Sequence, residues 1–187
     1  MRTDIIDYLQ DELYKRCQKP ENKFGIGCYH HIEAVVKNAE LLAEKNGANK
    51  EVVVIAAWLH DIASITDYSL YEMHHIHGAN MAYDILTKFN YEEDKIIHIQ
   101  ECIRNHRGSI KNNKSTKEEL CVSDADAISH FYNVPSLLYL VYATKGMGFE
   151  AGKEYVKGKL ERSYSKLSND SQEYYARKYQ QVMGILN

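Results

Sequence analysis

The sequence predicts an all-α protein, a compact bundle of several helices, on three observations. Proline occurs only at positions 20 and 135 of the 187 residues, which leaves a long stretch free of the strongest helix breaker. Apolar residues recur at the three- and four-residue spacing of a helix. Alternating strand patterns are nearly absent. The chain length suits a single domain over residues 1–187.

Apolar stripes and start signals support the individual helices. The run "EVVVIAAW" could pass for a buried strand, but its continuation is long and contains alanine, so we assign it to a helix. Ser69-x-x-Glu72 and Ser115-x-x-Glu118 fit capping boxes, and Pro135 suits a first helical turn. The stretch 106–117, rich in Gly, Ser, Asn and Lys, is the clearest long loop. The predicted helices cover residues 3–17, 30–46, 50–64, 72–89, 93–106, 116–132, 135–145, 149–167 and 171–186.

Composition excludes several classes of protein. The net charge of -3 argues against bulk binding of nucleic acid, so phosphate chemistry needs a local cluster or a metal. The mean hydropathy of -0.50 and the absence of an apolar run of about 20 residues argue against a membrane protein. The N-terminal segment lacks the apolar core of a signal peptide. The four cysteines show no C-x-x-C spacing, which is typical of reduced thiols in the cytoplasm.

Two metal-ligand side chains stand next to each other in an apolar segment, "AAWLHDIASITDY". His60 and Asp61 lie near the C-terminal end of the predicted helix 50–64. Burying an imidazole and a carboxylate is costly unless both have partners. Neighbouring helical positions differ by about 100° around the axis. The two side chains therefore reach one point only at a helix end that faces a pocket.

Other polar residues in apolar surroundings offer partners for this pair. His31 lies where a helix begins, and Asp124 and Asp126 interrupt the apolar stretch "LCVSDADAISH". Two imidazoles and two carboxylates suit a site for Mn, Fe, Ni, Co, Zn or Mg with open positions for water and substrate. The alternative is a pair of buried His–Asp hydrogen bonds without a metal. Spacing alone leaves both interpretations open.

Three segments together resemble the H…HD…D pattern of the HD superfamily of metal-dependent phosphohydrolases. "HIEAVVKNA" is similar to its first motif, "AAWLHDI" to its second and "VSDADAI" to its third. The resemblance covers about residues 29–130, and the helices over about 135–186 look like those of small stand-alone bacterial members. It implies a divalent metal held by His31, His60, Asp61 and Asp126. It also favours His31 over His30 and Asp126 over Asp124.

Two further histidines lie where many HD proteins carry additional ones. "HHIHGANMAYDIL" is similar to an H-x-x-x-G-A segment and selects His74, and "CIRNHRG" selects His106. In members with two metals these positions complete the second site, and in members with one metal they contact substrate phosphate or water. We expect His106 to act in catalysis and His74 in substrate binding. The remaining histidines are expected to have no role, and two of them to lie on an exposed helix face, His75 and His77.

The resemblance implies hydrolysis of a nucleotide or another small phosphate ester or anhydride by metal-activated water. Pyrophosphohydrolysis of nucleoside triphosphates is one option. Asp61 would orient the water or accept its proton. Arg104 and Arg107 flank His106 in a basic cluster that continues to Lys111, Lys114 and Lys117, and either arginine suits a phosphate clamp.

Departures from the family pattern narrow the range of possible substrates. Ser64 stands three residues after the HD pair, where alarmone hydrolases and deoxynucleoside monophosphatases usually carry Glu. No G-Y-P triplet supports a cyclic-di-GMP phosphodiesterase. Two alternatives to a phosphohydrolase remain: a catalytically weak module that binds a nucleotide for signalling, and an oxygenase with a di-iron centre. The expected partner is a small phosphate substrate rather than a membrane, and the oligomeric state is left open.

Overall fold

The structure is a computed structural model that describes residues 1–107 and 114–187. Within these two ranges the regular elements are helices, and no strand occurs, so the predicted all-α fold is confirmed. No helix there is both long and apolar enough to cross a membrane. The helices are α1 (Thr3–Cys17), α2 (Gly27–Asn46), α3 (Lys50–Leu59), α4 (Ile62–Thr66), α5 (His74–Lys88), α6 (Glu93–Asn105), α7 (Lys117–Tyr132), α8 (Val134–Tyr139), α9 (Phe149–Ser165) and α10 (Asn169–Ile185).

Helix α7 forms the centre of the bundle. It is buried on nearly every side over its last three turns and packs against α2, α3, α6, α9 and α10. Its long contact with α2 places His31 of α2 opposite Asp126 of α7. Helices α5 and α6 form a second packed pair that closes the other side of the bundle. Side chains from α2, α7 and the α5–α6 pair can therefore meet near the middle of the fold.

The predicted helix 50–64 is wrong in one respect, because it breaks at the HD pair. Helix α3 ends at Leu59 and α4 begins at Ile62. The imidazole of His60 donates through Nδ1 to the carbonyl oxygen of Ala57 at 2.7 Å. Asp61 adopts φ -110° and ψ 11°, which is not helical. The break supplies the helix end at which His60 and Asp61 can reach one point.

Two predicted helix starts are also corrected. The Ser69 capping box does not form, because Asp67 accepts the N–H of Ser69 at 2.8 Å and begins a 3₁₀ turn over Tyr68–Met73. The box before α7 forms one residue later than predicted. Thr116 Oγ1 accepts the N–H of Glu119 at 3.2 Å, and the Glu119 carboxylate accepts the N–H of Ser115 at 3.3 Å.

The other predicted boundaries have mixed outcomes. Pro135 lies in the first turn of α8, as predicted. The predicted helix 135–145 continues as a single π-helical turn over Leu140–Thr144, a distortion that often accompanies functional sites. Half of the predicted loop 106–117, residues 108–113 with Lys111, lies outside the described residues.

Glu51 in the first turn of α3 ties three parts of the fold together. Its carboxylate accepts the hydroxyl of Tyr91 at 2.6 Å, the ammonium of Lys95 at 3.2 Å and the backbone N–H of Arg2 at 2.8 Å. Burial by itself raises the pKa of Glu51, but the bonds from Tyr91 and Lys95 outweigh it and lower the pKa to about 2.

We therefore expect Glu51→Gln to lower the free energy of unfolding by about 1–3 kcal/mol at pH 7. Because the folded-state pKa is depressed, this contribution is complete above the unfolded pKa of about 4.3 and is lost as the pH falls toward 2. Urea denaturation between pH 7 and pH 3 should show the difference from the wild type shrinking below about pH 4.3. Glu92→Gln, on an exposed acid bonded to the same Lys95, is the control. A difference that does not change with pH would contradict this assignment.

Candidate metal centre

Six side chains from different elements converge in the middle of the bundle. They form two groups of three, each with ligand atoms within 4.8 Å of one another. The groups are His31, His60 and Asp126, and Asp61, His74 and His106. The structure thus brings together every histidine and aspartate that the sequence singled out as a ligand or as an additional HD-type histidine.

Asp61 lies between the two groups and turns a different oxygen toward each. Its Oδ2 is 3.5 Å from Nε2 of His60 and 3.9 Å from Nε2 of His31. Its Oδ1 is 3.4 Å from Nε2 of His74 and 4.0 Å from Nε2 of His106. Each oxygen of Asp61 thus faces one of the two groups.

Hydrogen bonds to the backbone fix which nitrogen of three imidazoles faces the site. His60, His74 and His106 each donate through Nδ1 to the carbonyl oxygen three residues earlier, at 2.7, 2.7 and 2.6 Å. With the proton on Nδ1, the Nε2 lone pair is free to bind a metal. A backbone carbonyl on the other ring nitrogen is a usual partner of metal-binding histidine.

His31 reaches the same state through a hydroxyl. Ser129 donates its hydroxyl hydrogen to the carbonyl oxygen of Asp126 at 2.6 Å. Its oxygen must then accept from Nδ1 of His31, which is 3.0 Å away. Nε2 of His31 consequently also presents a lone pair, 3.3 Å from Oδ1 of Asp126.

The spacing of the imidazole Nε2 atoms suits binding to a shared cation better than direct contact with one another. Nε2 of His74 and Nε2 of His106 are 3.2 Å apart, so two lone pairs face each other. Nitrogens bound to one metal at about 2.1 Å lie roughly 3.0–3.4 Å apart in octahedral or tetrahedral geometry. Nε2 of His60 is buried and has no hydrogen-bond partner among the described residues. The donor set therefore suits a divalent metal, because a buried polar atom without a partner is costly.

Electrostatics keeps Asp61, Asp126 and His106 in the protonation states that a metal requires. Burial lowers the pKa of His60, but the Asp61 carboxylate outweighs it and raises that pKa. Burial raises the pKa of Asp61, but the imidazoles of the site outweigh it and hold that pKa well below its ordinary value. Burial also raises the pKa of Asp126, but Lys166 and the neighbouring imidazoles outweigh it and hold that pKa well below its ordinary value. Burial lowers the pKa of His106 well below its ordinary value. At neutral pH the two carboxyl groups are ionised and His106 is neutral.

Comparison with known proteins identifies the family. A family model described as "HD domain" matches residues 28–130, which is more than half of the chain. The protein belongs to the HD domain family. The expected resemblance over about residues 29–130 is confirmed, and with it membership of a superfamily of metal-dependent phosphohydrolases.

Relatives of this HD-domain protein differ in how closely they match. An uncharacterized protein of Clostridium beijerinckii is 33% identical over 113 residues, which are 59% of this chain and 70% of the relative. Bacillus subtilis YpgQ in complex with ADP has a TM-score of 0.65 at 16% identity, over 95% of this chain and 93% of that chain. A structural genomics target from Lactobacillus plantarum has a TM-score of 0.74 at 16% identity, over 100% of this chain and 94% of that one. At 16% identity the two solved structures show a common fold.

Lys166 orients the carboxylate of Asp126 in this HD-domain protein. Its ammonium forms an ion pair with Oδ2 of Asp126 and donates to the carbonyl oxygen of His106 at 3.3 Å. Oδ1 of Asp126 is left to face His31. A partner of this kind fixes the direction of a metal-binding carboxylate.

The neighbouring acid, Asp124, has a different environment. It accepts the backbone N–H of Ser168 at 3.0 Å and also its hydroxyl, at the start of α10. Asp124 therefore anchors the C-terminal helix, while Asp126 lies within the metal-ligand group.

The two arginines predicted to clamp phosphate lie away from the centre of the site. Arg104 pairs with Glu101 on its own helix, and Arg107 pairs with the side chain and carbonyl of Glu72. Neither arginine lines the cavity beside the ligands. Their role as a phosphate clamp stays a prediction, as does any role of Lys114, which is half-buried, and Lys117, which is exposed.

A cavity of about 110 Å³ opens beside His31 and Asp61. Much of its wall is apolar or aromatic and comes from the α1–α2 connection, α4, the 3₁₀ turn and the C-terminal helices. The residues of this apolar wall are Phe24, Ile65, Tyr71, Leu137, Leu140 and Tyr155. A polar ligand group at the metal ligands could thus continue into an apolar or aromatic portion along the wall.

His130, which was expected to have no role, lies against the candidate site. Its ring stacks on His31 with centroids 4.7 Å apart, and its Nδ1 is 3.2 Å from the hydroxyl of Ser163. Burial lowers its pKa well below the ordinary value. The four-residue spacing between Asp126 and His130 was a usable signal, because it puts both on one face of α7.

His75 is buried, so the prediction that it lies on an exposed helix face is wrong, whereas His77 is exposed as predicted. His75 is 3% exposed because it shares a helix face with Ala79 and Ala82, and that face packs inside the bundle. His98 is half-buried and lies 3.4 Å from Glu118, outside the two ligand groups.

Proposed function

We propose that this protein is a metal-dependent phosphohydrolase that acts on nucleotides. One observation carries the proposal: the ionised carboxylate of Asp61 lies between two groups of histidine Nε2 lone pairs, each of a size to hold a divalent cation. Hydrogen bonds that Nδ1 donates to backbone carbonyl oxygens leave those Nε2 lone pairs free, so the ligand geometry exists before a cation binds.

One cation would be held by His31, His60 and Asp126 with Oδ2 of Asp61, and a second by His74 and His106 with Oδ1 of Asp61. When bound, a divalent cation lowers the pKa of a water molecule and offsets charge on phosphoryl oxygens. The candidate cations are Mn, Fe, Ni, Co, Zn and Mg.

The side chains of the site then position the reactants. Asp61, ionised at neutral pH, would orient the attacking water, whose proton passes to solvent in the cavity. The water oxygen forms the new bond to phosphorus as the bond to the leaving oxygen breaks. Lys166 and Ser129 hold Asp126 and His31 in place during this step, so little reorganisation is needed.

The choice of a nucleotide rests on the cavity. The aromatic side chains Phe24, Tyr71 and Tyr155 line it together with Asp61, so the wall offers aromatic surface to the base of a nucleotide whose phosphate lies at the ligands. A structural neighbour, YpgQ, was solved in complex with ADP. Among nucleotide reactions, pyrophosphohydrolysis of a triphosphate is the one we would test first.

The test is a panel of nucleoside mono-, di- and triphosphates, with Mn, Co, Ni or Mg added to protein purified without chelator. We expect release of phosphate or pyrophosphate with at least one metal, and loss of that activity on chelation. Binding of nucleotides without release under any condition would contradict the proposal and support a signalling module.

Oxygenation by a di-iron centre is the second candidate, because His74 and His106 complete a second ligand group around Asp61. It predicts a coloured preparation that retains iron and consumes dioxygen. Phosphate release with a redox-inactive metal such as Mg would count against it.

A further inference from the structure

Lys159 of α9 lines the same cavity as His31 and Asp61. It follows Tyr155 by four residues on one helix face, and Tyr155 also lines the cavity. Ser163, four residues further on, lies 3.2 Å from His130. Helix α9 therefore presents a row of polar side chains to the metal centre, and Lys159 is the cation of that row beside the open space.

Within residues 1–107 and 114–187, Lys159 differs from the other lysines of α9 in having no ion pair or hydrogen bond. Lys153 pairs with Glu150 at 3.2 Å, and Lys157 pairs with Glu154 at 3.7 Å. Beyond the end of the helix, Lys166 pairs with Asp126. Half-buried and without a partner, the ammonium of Lys159 would gain most from an anion that enters the cavity.

The acids near Lys159 are already engaged. Burial lowers the pKa of Lys159, Asp126 opposes this shift and Lys166 adds to it. Asp126, however, faces His31 through one oxygen and Lys166 through the other. The carboxylate of Asp61 is shared among the histidines. Among the described residues, these two acids are therefore not free to pair with Lys159.

We propose that Lys159 binds a phosphate group of a phosphoanhydride substrate. This subsite lies between the metal centre and the aromatic wall of the cavity, which consists of Phe24, Tyr71 and Tyr155. This inference rests on the proposed function and names the chemical class of the substrate more closely. A lysine ammonium is a compact charge that binds phosphate oxygens well. One phosphoryl group lies at the metal ligands, the next meets Lys159, and the organic part of the substrate contacts the aromatic wall.

The aromatic wall supports the same orientation of the substrate. The hydroxyl of Tyr155 accepts a hydrogen bond from Lys145 at 3.3 Å, and the ammonium of Lys145 lies 4.6 Å from the ring centroid of Tyr155. Tyr155 is thus held in position one helical turn from Lys159. Tyr71 and Phe24 form a ring contact with centroids 5.4 Å apart, and both line the cavity. A planar base has aromatic surface to contact on the side away from the metal ligands.

The test compares Lys159→Met with Lys157→Met, a control on the same helix whose lysine pairs with Glu154 outside the cavity. Calorimetry measures the binding of ADP and of inorganic tripolyphosphate to the chelated protein, in which metal-dependent turnover cannot occur. We expect Lys159→Met to weaken the affinity for each of the two probes at least tenfold, and Lys159→Arg to weaken it less. Lys157→Met should leave both affinities within twofold of the wild type. Thermal melting should show Lys159→Met folded, because the substitution removes a half-buried charge.

Tyr155→Leu provides a second, independent readout. This substitution should lower the affinity for ADP severalfold and leave the affinity for tripolyphosphate within twofold of the wild type. The reason is that only ADP has a base to contact the aromatic side chains of the cavity. Unchanged affinity for both probes in Lys159→Met, or a wild-type protein that binds neither probe, would overturn the inference. If nucleotides are hydrolysed while KM is unchanged in Lys159→Met, the inference fails and the proposed function stands. If Lys159-dependent binding occurs without hydrolysis under any metal, the subsite stands and the proposed function fails.

Discussion

Asp61→Asn should abolish both metal retention and turnover. The substitution keeps the size of the side chain but removes the charge that faces four histidine nitrogens at 3.4–4.0 Å. An amide is a poor metal ligand, so the cation and the water that it would activate are lost together. We expect a loss in kcat of about 10³-fold or more, which corresponds to about 4 kcal/mol. Elemental analysis and a phosphate-release assay on the same preparation measure both effects.

Asp124→Asn is the matched control for this experiment. Asp124 is also a buried carboxylate, 2% exposed, but its bonds go to Ser168 rather than to the histidines. The control should keep its metal and its activity, and lose about 1–3 kcal/mol in the free energy of unfolding. Full metal content and full activity in Asp61→Asn would show that the site assignment is wrong.

The ligand positions could be predicted because the residues next to them in the sequence distinguish them from other histidines and aspartates. His60 and Asp61 stood out as costly polar groups in an apolar segment, and the flanking residues matched the family pattern. The break between α3 and α4 could not be predicted in the same way. Ile62, Ala63 and Ile65 continue the apolar pattern through it, and all three are buried. A side-chain hydrogen bond from His60 to the backbone accompanies the break, and periodicity does not encode such a bond.

The contribution of α9 was missed for a different reason. Tyr155, Lys159 and Ser163 have regular four-residue spacing, but polar residues at that spacing are also typical of a solvent-exposed helix face. Only the packing of α9 against α7 shows that this face meets the metal centre. Spacing thus assigned residues to a common face, and tertiary contacts were needed to say what that face meets.

His106→Gln should remove one of two bound metals. The two ligand groups predict about two divalent ions per chain, and this substitution removes a ligand from the group that contains His74 while leaving the other group intact. We expect the metal content to fall from about two to about one per chain, and kcat to fall about 10²-fold.

His98→Gln is the control for this prediction, because His98 lies on α6 just before His106 but contacts Glu118 and Thr116 instead. Elemental analysis and steady-state kinetics on both variants check the prediction. The alternative role of His106, contact with substrate phosphate or water beside a single metal, predicts an unchanged metal content and a raised KM or lowered kcat. An unchanged metal content would contradict the two-cation arrangement.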